Sequence, residues 1–91
     1  MKNASLLFVV RPVDEWNFED VCKRYEKCID YMKGNHYGIQ VYKVEFVSIF
    51  SAMWFSMYLL RAGWYTRNNR DLIWIDRNGH TTNVKLAYYK S

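Results

Sequence analysis

The chain has 91 residues with a net charge of +4, and it is 51% apolar and 19% aromatic. This length suits one small domain over residues 1–91, and the aromatic content excludes a disordered chain. Residues 1–60 hold equal numbers of acidic and basic side chains, so the basic excess lies in the last third. Such an excess favours an acidic partner, either a protein or a nucleic acid, although a solubilising surface gives the same pattern.

The first predicted element is a strand. Leu6–Val10 is a compact run of apolar residues, rich in β-formers and closed by Arg11-Pro12, and its length suits a buried strand. The run is shorter than the apolar region of a secretory signal, so we expect no targeting segment.

A helix is predicted over Phe18–Lys33, capped by Asn17 and ended by Gly34. Its apolar stripe at helical spacing consists of Phe18, Val21, Cys22, Tyr25, Cys28, Ile29 and Met32. Six residues of helix would separate the two cysteines by about 9 Å along the axis, beyond disulfide reach. We therefore expect reduced thiols and a cytoplasmic protein.

A strand follows from Ile39 to Val44 or Phe46, and then the run FVSIFSAMWFSMYLL, residues 46–60, carries no charge. The run is shorter than a membrane span, so we predict a helix that Ser48 caps and Ala62-Gly63 ends. We expect the sheet to cover the stripe formed by Phe46, Ile49, Phe50, Met53, Met57 and Leu60. The side with Trp54 and Tyr58 is left either to the core or to a partner or homodimer interface.

The segment RAGWYTRNNRD, residues 61–71, is predicted to be a loop because it contains Gly63 and two asparagines. It mixes aromatic and basic residues, as interface hot spots and single-stranded nucleic-acid surfaces do; a packed loop with solvated arginines has the same composition. The candidate partner-binding residues are Arg61, Trp64, Tyr65, Arg67, Arg70, Trp74 and Lys85.

The chain ends in a predicted hairpin with a two-residue turn at Asn78-Gly79. That turn sets Ile75 opposite Thr82. The expected core face then holds Ile73, Ile75, Val84 and Leu86, and the other face holds Leu72, Trp74, Lys85 and Ala87.

Together these elements predict a small α+β domain in the order β-α-β-α-β-β. Its mainly antiparallel sheet has about four strands, and two helices pack on it. The sequence contains no nucleophile-base spacing, phosphate loop or metal-ligand cluster, so we expect no cofactor, no metal and no enzymatic activity. One lesser alternative remains open, because small basic ribonucleases use the residue types found at Arg67, Arg70, Arg77, His80 and Tyr88.

The leading hypothesis is a non-enzymatic protein that inhibits a host protein or nucleoprotein complex by occluding an acidic surface. The small size and the abundance of Tyr, Trp, Asn and Lys are typical of viral, phage or mobile-element accessory proteins, which would place it in the host cytoplasm. The alternative is a single-stranded RNA- or DNA-binding protein that uses the same surface.

Overall fold

The computed structural model describes residues 3–36, 38–75 and 81–89. The elements are β1 (Ala4–Val10), a 3-10 turn (Pro12–Asp14), α1 (Glu15–Arg24), β2 (Cys28–His36), β3 (Ile39–Phe46), α2 (Ile49–Arg61), β4 (Trp64–Ile75) and β5 (Thr81–Tyr89). The small α+β domain with two helices is confirmed. The predicted four strands and the predicted order β-α-β-α-β-β are wrong, because the sheet has five strands and β2 lies between α1 and β3.

The sheet is mixed, with the strand order β2-β3-β1-β5-β4. β1 lies at its centre, antiparallel to β3 and parallel to β5, while β2 and β4 form antiparallel edges. The mainly antiparallel character is confirmed. The first and last strands of the chain are therefore neighbours in the sheet, although they are far apart in sequence.

Both helices pack on one face of the sheet, where the aromatic core lies. Phe8 of β1 contacts Phe18 of α1 and Phe55 of α2 at ring-centroid distances of 5.4 and 5.7 Å. Even-numbered residues of β1 and β3, such as Phe8 and Tyr42, point to this helix-covered face, and their odd-numbered neighbours point to the opposite face. We call that opposite face, which neither helix covers, the open face.

The predicted helix over residues 18–33 is wrong in its second half. α1 begins at Glu15 and ends at Arg24, and residues from Cys28 onward form the edge strand β2. A helix there would leave the outer edge of β3 without a backbone partner, whereas the hairpin pairs the two strands from Cys28 to His36. Gly38 allows the tight turn because its φ of 82° lies in the left-handed region.

The change from helix to strand also removes the reason given for separating the two cysteines. Cys22 of α1 and Cys28 of β2 are both free thiols. Burial and the neighbouring Cys28 raise the pKa of the Cys22 thiol. These thiols are therefore protonated core groups rather than reactive nucleophiles.

The loop predicted over residues 61–71 is also wrong, since β4 begins at Trp64 and runs to Ile75. Gly63, with φ 90°, ends the preceding turn, and β-forming residues continue directly into the strand. The hairpin register differs by one residue from the prediction, because Ile75 lies opposite Thr81. Asn78-Gly79 lies outside the described residues.

The shifted register reverses the predicted faces of β5. Ala87 belongs to the aromatic core, and the Lys85 ammonium donates a hydrogen bond to Ser56 Oγ of α2 at 3.2 Å. Val84 and Leu86, which were expected on the core side, therefore point to the open face.

Candidate functional site

Four residues form an aromatic-basic cluster on the open face, where β1 and β5 end and β4 begins: Arg11, Tyr65, Arg67 and Tyr88. Tyr65 of β4 lies opposite Tyr88 of β5, and their rings stack with centroids 5.4 Å apart and planes 10° from parallel. The Arg11 guanidinium carbon lies 5.7 Å from the centroid of the Tyr88 ring, within the range of a cation–π contact.

Arg11 is held in this position by a buried carboxylate. Its Nε donates a hydrogen bond to Asp14 Oδ2 at 2.8 Å, and its Nη2 donates one to the Tyr89 carbonyl at 3.3 Å. Asp14 is buried, and its Oδ2 also accepts a hydrogen bond from the Tyr89 amide at 3.3 Å. The guanidinium is thus fixed to both the start of α1 and the end of β5.

Arg67 supplies the second positive charge of the aromatic-basic cluster. It lies two residues after Tyr65 in β4, so both side chains point to the open face, and it is exposed opposite Leu86. Among the residues that the structure describes, Arg67 has no ion-pair partner. It is therefore the cation of the cluster that a partner's carboxylate or phosphate can engage.

The other predicted contact residues are dispersed. Trp64 is 1% exposed and packs on Phe18, with ring centroids 5.5 Å apart, so its ring belongs to the core and cannot fill a partner's pocket. Lys85 lies on the helix-covered face, and burial lowers its pKa. Arg70 and Trp74 belong to β4, but their side chains lie outside the described part of the structure.

Arg61 belongs to a different surface. It ends α2, where it lines a shallow depression together with Tyr25, Trp54, Met57 and Tyr58. Tyr58 is half-buried because its ring packs on Tyr25 at 5.1 Å, whereas Trp54 is exposed. The two residues predicted for a helix interface are therefore close together, but only Trp54 presents most of its surface.

The side of α2 that faces the sheet is not the predicted one, and the apolar surface that α2 exposes is larger than expected. Of the stripe expected to face the sheet, the five residues that belong to α2 are exposed, whereas Phe46 ends β3 and is buried. The buried residues of α2 are Ala52, Phe55 and Leu59. Small residues on the inner side, including Ala52 and Ser56, let the helix lie close to the sheet, while Phe55 enters the aromatic core. The exposed apolar residues of α2 are Ile49, Phe50, Met53, Trp54, Met57 and Leu60. We call this set the outer face of α2.

Sequence reasoning found Tyr65 and Arg67 but did not recognise Arg11 as their neighbour, and it mentioned Tyr88 only for a ribonuclease-like set. Of that set, Arg77 and His80 lie outside the described residues, and so does the side chain of Arg70. Within residues 3–36, 38–75 and 81–89, no three His, Cys, Asp or Glu residues are grouped to hold a metal ion. No helix in the same ranges has the length and apolar character needed to cross a membrane.

Comparison with protein-family models, curated proteins and solved structures found no match.

Proposed function

We propose that this chain is a small non-enzymatic binding protein that inhibits a partner protein by covering an acidic surface. The observation that carries the proposal is the aromatic-basic cluster, in which Tyr65 stacks on Tyr88 and Arg11 lies over the Tyr88 ring. Tyrosine and arginine are enriched among the residues that dominate binding energy at protein interfaces. Arginine also forms paired, charge-assisted hydrogen bonds with carboxylates.

The cluster is suited to rigid docking because much of it is already ordered. Asp14 fixes Arg11 over Tyr88, and strand pairing fixes Tyr65 against the same ring. Side chains that are immobilised before binding lose less conformational entropy when the complex forms. Because other residues of the cluster already contact the Tyr88 ring, a partner would contact the cluster mainly through its hydroxyl and guanidinium groups. A protein surface would make such contacts.

The proposal includes the cellular setting. A viral or mobile-element accessory protein would meet its partner in the host cytoplasm, where Cys22 and Cys28 stay reduced. Support for the viral origin is compositional, namely the small size and the many Tyr, Trp, Asn and Lys residues.

A charge-matched pair of variants tests the cluster. Arg67→Gln and Lys85→Gln each remove one positive charge, but the first changes the open face and the second changes the helix-covered face. Wild type and both variants are immobilised, incubated with extract of the native host, and the captured proteins are quantified by mass spectrometry. We expect Arg67→Gln to reduce capture of an acidic partner about tenfold, because one charge-assisted contact is lost. Lys85→Gln is expected to capture the partner as well as the wild type does. Equal capture by all three proteins would refute the cluster as the contact surface.

Single-stranded nucleic acid is the second candidate, and the stacked tyrosine pair beside two arginines favours it specifically. Bases stack on such rings while arginines contact phosphates. Fluorescence anisotropy with labelled random RNA and DNA of about 20 nucleotides tests this directly. Binding that falls steeply between about 50 and 200 mM salt, and that Arg67→Gln weakens, supports nucleic acid; no binding at the lower salt concentration removes this candidate.

A further inference from the structure

The outer face of α2 is a large apolar surface that no element covers within the part of the chain that the structure describes. Its six side chains are between 49% and 69% exposed. If a fully exposed residue of this size presents roughly 200 Å², the six together present on the order of 700 Å². The largest apolar patch of a typical monomer is about 300–600 Å², and each partner in a standard interface contributes about 800 Å². The outer face thus has the extent of one half of a stable interface.

We propose that this face binds a second copy of the chain, with the two α2 helices antiparallel across a twofold axis. An isologous dimer requires a surface that complements itself, and the residue positions on α2 satisfy this. With the axis near the middle of the helix, Met53 lies opposite Met57 of the second copy, and Phe50 lies opposite Leu60. Each pair brings large apolar side chains together.

The single charged residue of α2 also fits this arrangement. Arg61 at the C-terminal end lies beside the first turn of α2 in the second copy, where the guanidinium can rest on the Phe50 ring. A parallel pair would instead bring the two Arg61 side chains together, and their like charges would repel. Antiparallel helices also place opposite ends of their dipoles side by side.

The dimer leaves the aromatic-basic cluster accessible. α2 covers one face of the sheet and the cluster lies on the other, so two copies would present two clusters. The dimer is therefore independent of the proposed function, and either can fail without the other.

Three methionine variants provide the test. Met53→Glu and Met57→Lys each place a charge at the centre of the proposed contact. Met32→Glu is the matched control, because Met32 on β2 is 63% exposed and Met53 is 64% exposed. Sedimentation velocity over a concentration series gives the dimer dissociation constant, and circular dichroism checks that each variant is folded.

We expect the wild type and Met32→Glu to dimerise equally, and each α2 variant alone to dimerise at least about tenfold more weakly, since a charge loses water in an apolar contact. An equimolar mixture of the two α2 variants is expected to dimerise again, because antiparallel pairing sets the introduced carboxylate of one copy against the introduced ammonium of the other. A wild type that stays monomeric at every concentration overturns the dimer, whether a host protein or a lipid surface covers the face instead. Loss of dimerisation without recovery in the mixture overturns the antiparallel arrangement.

Discussion

Two phenylalanines on the same helix provide the sharpest test of how α2 is oriented. Phe55 is 0% exposed, and its ring lies 5.0 Å from Phe46 and 5.7 Å from Phe8. Phe50, less than two turns away, is 69% exposed. The same substitution, Phe to Ala, therefore removes a core ring at one position and a surface ring at the other.

Phe55→Ala is expected to lower the free energy of unfolding by about 3–5 kcal/mol, through lost burial and the cavity left among the rings. A domain of this size has a total stability of roughly 5–14 kcal/mol, so the loss is a large part of the whole. Phe50→Ala is expected to change it by less than about 0.5 kcal/mol, as surface substitutions usually do.

Urea unfolding monitored by circular dichroism measures both values. The experiment is done at the lowest usable protein concentration, because association stabilises the folded state by mass action. If Phe50→Ala costs as much as Phe55→Ala, the assignment of the inner and outer sides of α2 is incorrect, and the dimer proposal fails with it.

Three further substitutions test the surroundings of the cluster and core. Gly63→Ala is expected to lower the free energy of unfolding by about 1–3 kcal/mol, because its φ is 90° and the added Cβ would lie 3.1 Å from a β5 tyrosine ring. Gly34→Ala is the control, because a Cβ there would have nothing within 4 Å. An equal loss of stability in the two variants would contradict the account. Asp14→Ala is expected to cost about 1–3 kcal/mol in urea unfolding, since the Arg11 guanidinium and a backbone amide lose their acceptor; an unchanged midpoint would count against it. Burial lowers the pKa of Lys85 below its ordinary value of 10.5, so the protein takes up a proton when it unfolds at a pH just below 10.5. The free energy of unfolding of the wild type therefore increases as the pH rises through this window. Lys85→Met should lack that rise relative to wild type, and identical pH profiles would contradict it.

Local signals in the sequence were sufficient for both ends of α2 but not for those of α1, because Asn17, the predicted cap, lies inside α1 and Gly34, the predicted end, lies in β2. Ser48 caps α2, with its Oγ accepting a hydrogen bond from the Ser51 amide at 3.2 Å, and Gly63 follows the helix with positive φ. Both were predicted because capping and left-handed geometry depend on residue type at one position.

Elements whose structure depends on pairing or packing with another element could not be obtained in this way. Residues 28–33 continue a helical pattern, yet they form β2 because β3 offers an edge to pair with. The inner side of α2 was misassigned because a helix that is apolar all round carries no amphipathic signal. What decided it was the fit of Phe55 among the core rings.

Only two of the four residues of the aromatic-basic cluster were predicted together, because the other two are distant from them in sequence. Tyr65 and Arg67 are neighbours in sequence, so composition alone drew attention to them. Arg11 joins them only because β1 and β5 lie parallel in the sheet, a pairing across nearly the whole chain. Trp64, adjacent to Tyr65, points to the core because successive strand residues face opposite sides.

Hydroxyl-radical footprinting of the chain, alone and with its captured partner, tests the central claim most directly. Tyr65 and Tyr88 report on the cluster, and exposed Trp16 of α1 reports on the helix-covered side. We expect the partner to reduce modification of both tyrosines and to leave Trp16 unchanged. Protection of Trp16 with both tyrosines still fully modified would place the binding surface elsewhere and contradict the proposed function.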